Sequence, residues 1–199
     1  MGITWYVDGP NQQEVRPMSR NLAVAVVTIL LWPGIGLAQP PKKVPQLSDK
    51  ISQSILTYAR YTVFDDVSAD LTDGAVTLTG KVTMPFKATD IAARIEHLRG
   101  VTAVKNEIQV LPVSIYDDQL RYALARRIYG NRAFQTYAVM SYPPIHIIVD
   151  RGNVTLTGVV NSNVERVLAR NLASLTFGVF SVNNELKTDA EMKALGHGN

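Results

Sequence analysis

Gly74-Ala75-Val76-Thr77-Leu78-Thr79-Gly80 returns as Gly152-Asn153-Val154-Thr155-Leu156-Thr157-Gly158, 78 residues further along the chain. In both stretches two apolar residues alternate with threonines between flanking glycines. That is the period of a half-buried strand entered from a tight turn. The same offset relates Gly100-Val101 to Gly178-Val179, Val104 to Val182, and Asn106-Glu107-Ile108 to Asn184-Glu185-Leu186. One constant offset over separated segments means that one small fold occurs twice. Two copies are too few for a solenoid, so paired domains are expected.

Upstream of each repeated strand lies a partner. In copy one Val67, Ala69 and Leu71 alternate with Ser68 and Asp70, and Thr72-Asp73-Gly74 makes the turn of a hairpin. Copy two repeats this with Ile145 to Val149 and the turn Asp150-Arg151-Gly152-Asn153, delimited by Pro143 and Pro144. Before each hairpin the spacing predicts a helix. Ser48 is the expected cap for one over 49–60, with Ile51, Ile55 and Ala59 on one face. Asp117 or Asp118 is the expected cap of the other, whose seam is Leu120, Leu124 and Ile128 and whose stop is Gly130. After each hairpin comes a second helix. In copy one it covers 86–98, with Ala88, Ile91, Ala92, Ile95 and Leu98 inward. In copy two it follows the capping-box spacing Ser162 to Glu165, with Val164, Val167, Leu168, Asn171, Leu172 and Leu175 as its stripe. The last strands run through Val104–Val110 and Val182–Leu186.

The expected fold is therefore α+β: two tandem α-β-β-α-β modules, each a three-stranded mixed sheet packed by two helices. The modules are placed at 48–112 and 117–189, with a Pro-rich linker at 39–47, a short linker at 113–116 and a tail at 190–199. The six repeated glycines, Gly74, Gly80, Gly100, Gly152, Gly158 and Gly178, are read as structural: turns, close backbone approach and helix ends. Asn106 and Asn184 are expected to tie a strand to a neighbouring turn through side-chain bonds.

Composition narrows the function. The chain has 199 residues, 20 Lys+Arg against 17 Asp+Glu, and a hydrophobic fraction of 46%. That excludes a dominantly disordered chain and a densely basic nucleic-acid module, and no nucleic-acid partner is expected. With no cysteine there is no disulfide, thiol nucleophile or Cys-ligated metal. Met18-Ser19-Arg20 precedes an uncharged run, Asn21 to Gln39, with an apolar centre at Leu22–Trp32 and small residues at Gly36-Leu37-Ala38. This is the order of a secretory signal peptide. It predicts a biological start at Met18, cleavage after Ala38 and export to the periplasm or beyond. The alternative is an uncleaved anchor, for which the run is short against the ~20 residues of a full span.

Catalytic signals are thin. His97, His146 and His197 form no ligand cluster, and no nucleophile elbow or phosphate loop is present. Asp65-Asp66 and Asp117-Asp118 are read as caps or solvated faces. No enzyme, cofactor or metal site is expected. The better candidate is a surface on copy two. Arg121, Arg126 and Arg127 lie on its first helix, and Tyr122, Arg126 and Tyr129 share one stripe. Arginines approach phosphates, and tyrosines suit the boundary between apolar tails and water. Extra residues at Asn131–Ser141, carrying Arg132, Phe134, Tyr137 and Met140, either extend that patch or fold back over the core. An ordinary solvated helix face is the competing reading.

The two copies resemble BON domains of the osmotically inducible periplasmic type, through Val67…Gly74–Gly80, Ile147…Gly152–Gly158, Gly100-Val101…Val104-Lys105-Asn106-Glu107 and Gly178-Val179…Val182-Asn183-Asn184-Glu185. The resemblance implies an α-β-β-α-β domain, an envelope location, and attachment to phospholipid surfaces or envelope partners. It carries no catalytic residues. The expected function is non-enzymatic: peripheral binding to anionic phospholipid membranes and envelope maintenance under osmotic or other stress. The alternative is a periplasmic protein-interaction scaffold or homo-oligomer.

Overall fold

The computed structural model describes residues 46–196. The readings on the export signal, the cleavage after Ala38, most of the Pro-rich linker and His197 fall outside them.

The first repeat runs α1 (Leu47–Leu56), β1 (Asp66–Thr72), β2 (Ala75–Val82), α2 (Pro85–Glu96), β3 (Ala103–Asn106) and β4 (Gln109–Val110). The second runs α3 (Ile115–Tyr129), a 3-10 turn (Arg132–Phe134), α4 (Gln135–Ala138), β5 (Ile145–Asp150), β6 (Asn153–Val160), α5 (Asn163–Ser174), β7 (Ser181–Asn184), β8 (Lys187–Thr188) and α6 (Asp189–Gly196). The fold is α+β, with a mixed sheet in each repeat. In the first, β2 is central: antiparallel to β1, with Leu71 opposite Val76, and parallel to β3, with Val76 opposite Val104. β4 also pairs parallel with β2, Lys81 facing Gln109, in the register that β3 already has. β3 and β4 are thus one strand interrupted at Glu107-Ile108. The second repeat has the same arrangement around β6.

The interruption has a fastening. The Asn106 carboxamide donates to the Ala88 carbonyl at 3.0 Å and accepts from the Ile108 N–H at 3.2 Å. Asn184 does the same with Arg166 at 2.9 Å and Leu186 at 3.4 Å. These asparagines therefore bind the strand break to the covering helix as well as to the adjacent backbone. Each repeat keeps its own core. Val76, Leu78 and Val82 meet Ile51, Ile55, Ile91 and Ile95 in the first. Val154, Leu156 and Val160 meet Leu120, Leu124, Ile128, Ala169 and Ala173 in the second.

Several helix details differ from the sequence reading. α1 begins at Leu47 under a capping box between Gln46 and Asp49, not under Ser48, and ends at Leu56. There the Thr57 hydroxyl bonds back to the Gln53 carbonyl and the chain turns to bury Tyr58. α3 is capped by Ser114, whose hydroxyl accepts from the Asp117 N–H. On α5 the inward face is Ala169 and Ala173 with half-buried Leu168 and Leu172, while Val164, Val167 and Leu175 point outward. Ala169 and Ala173 occupy the places of Ile91 and Ile95 in the first repeat. Phe134 and Tyr137 fold into the second core. The tail forms α6.

Both repeats belong to one compact unit. The segment between α1 and β1 lies against the second repeat: the Ile147 N–H donates to the Val63 carbonyl at 2.7 Å. Tyr61 meets His146 with ring centroids 5.5 Å apart, Phe64 packs on the second core, and Lys81 pairs with Asp150 at 3.2 Å.

Two glycines let neighbouring backbone pass close to the central strands. A Cβ at Gly80 (φ +117) would sit 2.1 Å from the Asp66 carbonyl oxygen, and one at Gly158 (φ +105) 1.8 Å from that of Pro144. Both obstacles are backbone and cannot swing aside. Gly80→Ala and Gly158→Ala are each expected to cost more than about 2 kcal/mol, from steric overlap and strained φ together. Urea unfolding midpoints measure this; a loss below about 0.5 kcal/mol, the scale of an ordinary surface change, contradicts it.

Candidate functional site

The eight residues singled out on the second repeat separate into two groups. Arg121 is 3% exposed. Its guanidinium donates to the Asp118 carboxylate and, at 2.7 Å, to the Val149 carbonyl, so it fastens α3 to β5. Phe134 and Tyr137 are core residues, stacked on each other. Tyr129 is half-buried and donates its hydroxyl to the Ile145 carbonyl. Its phenol is pushed well above the usual range by burial. These four cannot present themselves to a ligand surface, which corrects the sequence reading. A helical wheel places Arg121 among solvent positions, but a long side chain can lie along apolar surface and deliver its charge to a distant carbonyl.

The other four remain outside. Arg126, Arg127 and Arg132 are exposed and take part in none of the ion pairs among the described residues. Tyr122 is exposed and meets Phe64 edge-on at 5.5 Å. α4 and the 3-10 turn before it pack on α3, and the stretch that follows exposes Val139, Met140 and Tyr142. The surface is thus three uncommitted guanidinium groups at the C-terminal end of α3, beside a shallow apolar loop. The spacing of Phe134 and Tyr137, one helical turn apart, was the available signal that one side of the insert turns inward and leaves Val139 and Met140 outside.

The acidic pairs behave differently from the expectation of caps or solvated faces. Asp65 is fully buried. It accepts from the Thr62 N–H and hydroxyl, the Thr83 N–H and hydroxyl, and the Lys87 ammonium at 2.6 Å. Burial alone raises its carboxyl, but the bonds from Lys87, Thr83 and Thr62 outweigh that and hold it below the usual value. Asp117 is also fully buried and accepts from the N–H groups of Arg151 and Gly152 at 2.8 and 2.9 Å. In both pairs the first carboxylate organises turns that are distant in sequence. In the second repeat the place of Lys87 is held by Glu165, and the counterpart is the Tyr137 hydroxyl at 2.6 Å. Burial and this carboxylate push the Tyr137 phenol up to about 12.

Among the described residues no group of three or more His, Asp or Glu side chains could hold a metal. His97 bonds its Nδ1 to the Ala93 carbonyl, and His146 lies against Tyr61. An open groove of about 590 Å³ lies between α1 and α2, lined by Ser54, Tyr58, Asp90, Ala93, Arg94 and His97. Its polar groups satisfy one another: Tyr58 donates to Asp90, and Arg94 donates to the Ser54 carbonyl. Burial and Asp90 push the Tyr58 phenol up to about 12. Among the described residues no helix is long and apolar enough to cross a membrane.

The BON domain family matches this chain twice, over residues 44–112 and 117–190, and the chain belongs to that family. No curated protein matches it. Solved structures similar to it include two of one protein. One is the C-terminal domain of CdsD, the structural protein of the type III secretion system of Chlamydia trachomatis, at 16% identity and a TM-score of 0.27, covering 69% of this chain and 63% of that one. Another structure of CdsD from the same organism stands at 13% identity and a TM-score of 0.28, covering 75% and 96%.

The Asp65 environment generates a signed pH dependence. A carboxyl held low in the folded state stabilises it fully above the group's ordinary value, and that contribution disappears as pH falls through the lowered folded value. Asp65→Asn leaves Lys87 buried without a counter-charge and is expected to cost about 3–5 kcal/mol at neutral pH. The gap to the unsubstituted chain should narrow in acid. Denaturation midpoints of both chains against pH measure this; a gap that stays constant into acid contradicts the assignment.

Proposed function

We propose that the protein is a non-enzymatic, exported component of the cell envelope that binds peripherally to anionic phospholipid and helps to maintain the envelope under osmotic or other stress. The observation that carries this reading is the exposure of Arg126, Arg127 and Arg132 with no carboxylate partner among the described residues. A guanidinium left free of carboxylates at a protein surface is available to lipid phosphate, which it matches in a two-pronged geometry. Val139, Met140 and Tyr142 beside it add contact at the depth of the headgroups. Adhesion of this kind makes and breaks no covalent bond. The uncharged run Asn21 to Gln39 supports export, and the family supports an envelope setting.

Each basic side chain near an anionic membrane contributes about 1 kcal/mol, so three together account for a change on the order of 100-fold. Combining Arg126→Gln, Arg127→Gln and Arg132→Gln should lower partitioning onto phosphatidylglycerol-containing vesicles by that factor at low salt. The unfolding midpoint should not move. Arg121→Gln should instead lower the midpoint, because it removes the fastening between α3 and β5. Vesicle co-sedimentation and urea titration distinguish the two variants; undiminished partitioning of the folded triple variant rejects this face.

A further inference from the structure

The two hairpins differ in what meets their outer strands. β1 pairs only with β2 and β5 only with β6, so each has an open side. Along an antiparallel strand, alternate residues turn their N–H and C=O groups toward the partner and away from it. On β5 the residues facing away are Ile145, Ile147 and Val149, and each is engaged. The Tyr129 hydroxyl donates to the Ile145 carbonyl, the Ile147 N–H donates to the Val63 carbonyl, and Arg121 donates to the Val149 carbonyl. The matched residues of β1 are Val67, Ala69 and Leu71. Val67 gives its N–H to the Tyr61 hydroxyl. Among the described residues no bond from outside the hairpin reaches Ala69 or Leu71, and Ser68 and Asp70 beside them are exposed. Unpaired backbone groups along a strand edge are a template for another extended backbone.

The second repeat carries the segment that matches this edge. Tyr61, Val63 and Phe64, which lie against the second repeat, stand 78 residues before Val139, Ser141 and Tyr142. The close approaches of Gly80 to Asp66 and of Gly158 to Pro144 share that offset, so the correspondence holds up to the start of the hairpin. Tyr61 meets His146 and Phe64 packs on the second core, whereas Val139 and Tyr142 are 85% and 53% exposed. Within the chain the first loop thus meets the second edge, and the second loop and the first edge are left over. Their charges are opposite. Residues 66–76, with Asp66, Asp70 and Asp73, contain no basic residue, and residues 126–144, with Arg126, Arg127 and Arg132, contain no acidic one. A two-fold pairing of β1 with its copy would set acid against acid. A head-to-tail contact sets acid against base.

We propose that residues 139–142 of one copy dock on the β1 edge of a second copy, head to tail. The Ser141 carbonyl accepts from the Ala69 N–H of that copy, as Val63 accepts from Ile147 within the chain. The contact does not rest on lipid binding. A loop held by a second copy is unavailable to lipid, so the two uses exclude each other at any one loop.

The chain has no cysteine, so introduced thiols report the contact. Tyr61 and His146 meet within the chain, and their counterparts between copies are Val139 and Ser68. Full chains carrying Ser68→Cys or Val139→Cys are mixed and joined with a short bismaleimide. The mixed product should exceed each like-with-like product by roughly tenfold. Adding Tyr142→Ala to the Val139→Cys chain should lower the mixed yield by a similar factor, with an unchanged circular dichroism spectrum. Ala69→Pro in the Ser68→Cys chain should do the same, because proline removes the outward N–H and leaves the bonds to β2 in place. Tyr142 is exposed, so its variant decides the matter even where the proline chain does not fold. Absence of any product, equal yields of all three, or a mixed yield that survives Tyr142→Ala overturns the proposal. So does a dominant 68–68 product, which would make the contact a two-fold pairing of edges, or a dominant 139–139 product, which would make it a meeting of loops.

Discussion

In each repeat two backbones pass too close for a side chain to stand between them. Gly80 meets the carbonyl of Asp66, and Gly158 meets that of Pro144. This approach lets an eight-residue central strand hold β1 or β5 along one side while its other side receives the returning strand. The parallel return needs a helix to cross back over the sheet. Asn106 and Asn184 then bond the interrupted returning strand to that helix. Hairpin, helix and last strand are one construction, and its repetition at a single offset follows from the same glycines and asparagines.

That construction was legible in the sequence because its signals are local. Alternation in Val76-Thr77-Leu78-Thr79 and the turn glycines announce strands without reference to the rest of the chain. What escaped depends on distant partners. Arg121 has the look of a surface arginine until β5 brings the Val149 carbonyl to it. Asp65 resembles a solvated turn residue until Thr83, just after β2, and Lys87 of α2 reach it. Helix α5 offers apolar residues over so wide an arc that spacing alone does not tell Val164 and Val167, outside, from Leu168 and Leu172, half inside.

The divergence between the copies is informative because the fold is constant. Thr83 and Asn161 are matched, and both give their N–H to a carboxylate beside the second helix. In the first repeat that carboxylate comes from the loop and the helix supplies Lys87. In the second the helix supplies Glu165 and the insert supplies Tyr137. The insert thus replaces an ion pair with a phenol and adds Phe134 and Tyr137 to the second core. Having done so, it exposes Val139, Met140 and Tyr142 near three uncommitted arginines. In the first repeat α1 ends earlier, and the loop after it is spent on contact with β5.

The most direct measurement asks whether the exposed loop after α4 enters a lipid environment. An environment-sensitive dye attached through Val139→Cys, in a chain with no other thiol, should shift to the blue when phosphatidylglycerol vesicles are added and return when salt is raised. The same dye at Met192→Cys, on an exposed position of α6, should not respond. A response at 192 with none at 139, or a shift at 139 that neutral vesicles produce equally and salt leaves untouched, would contradict the account.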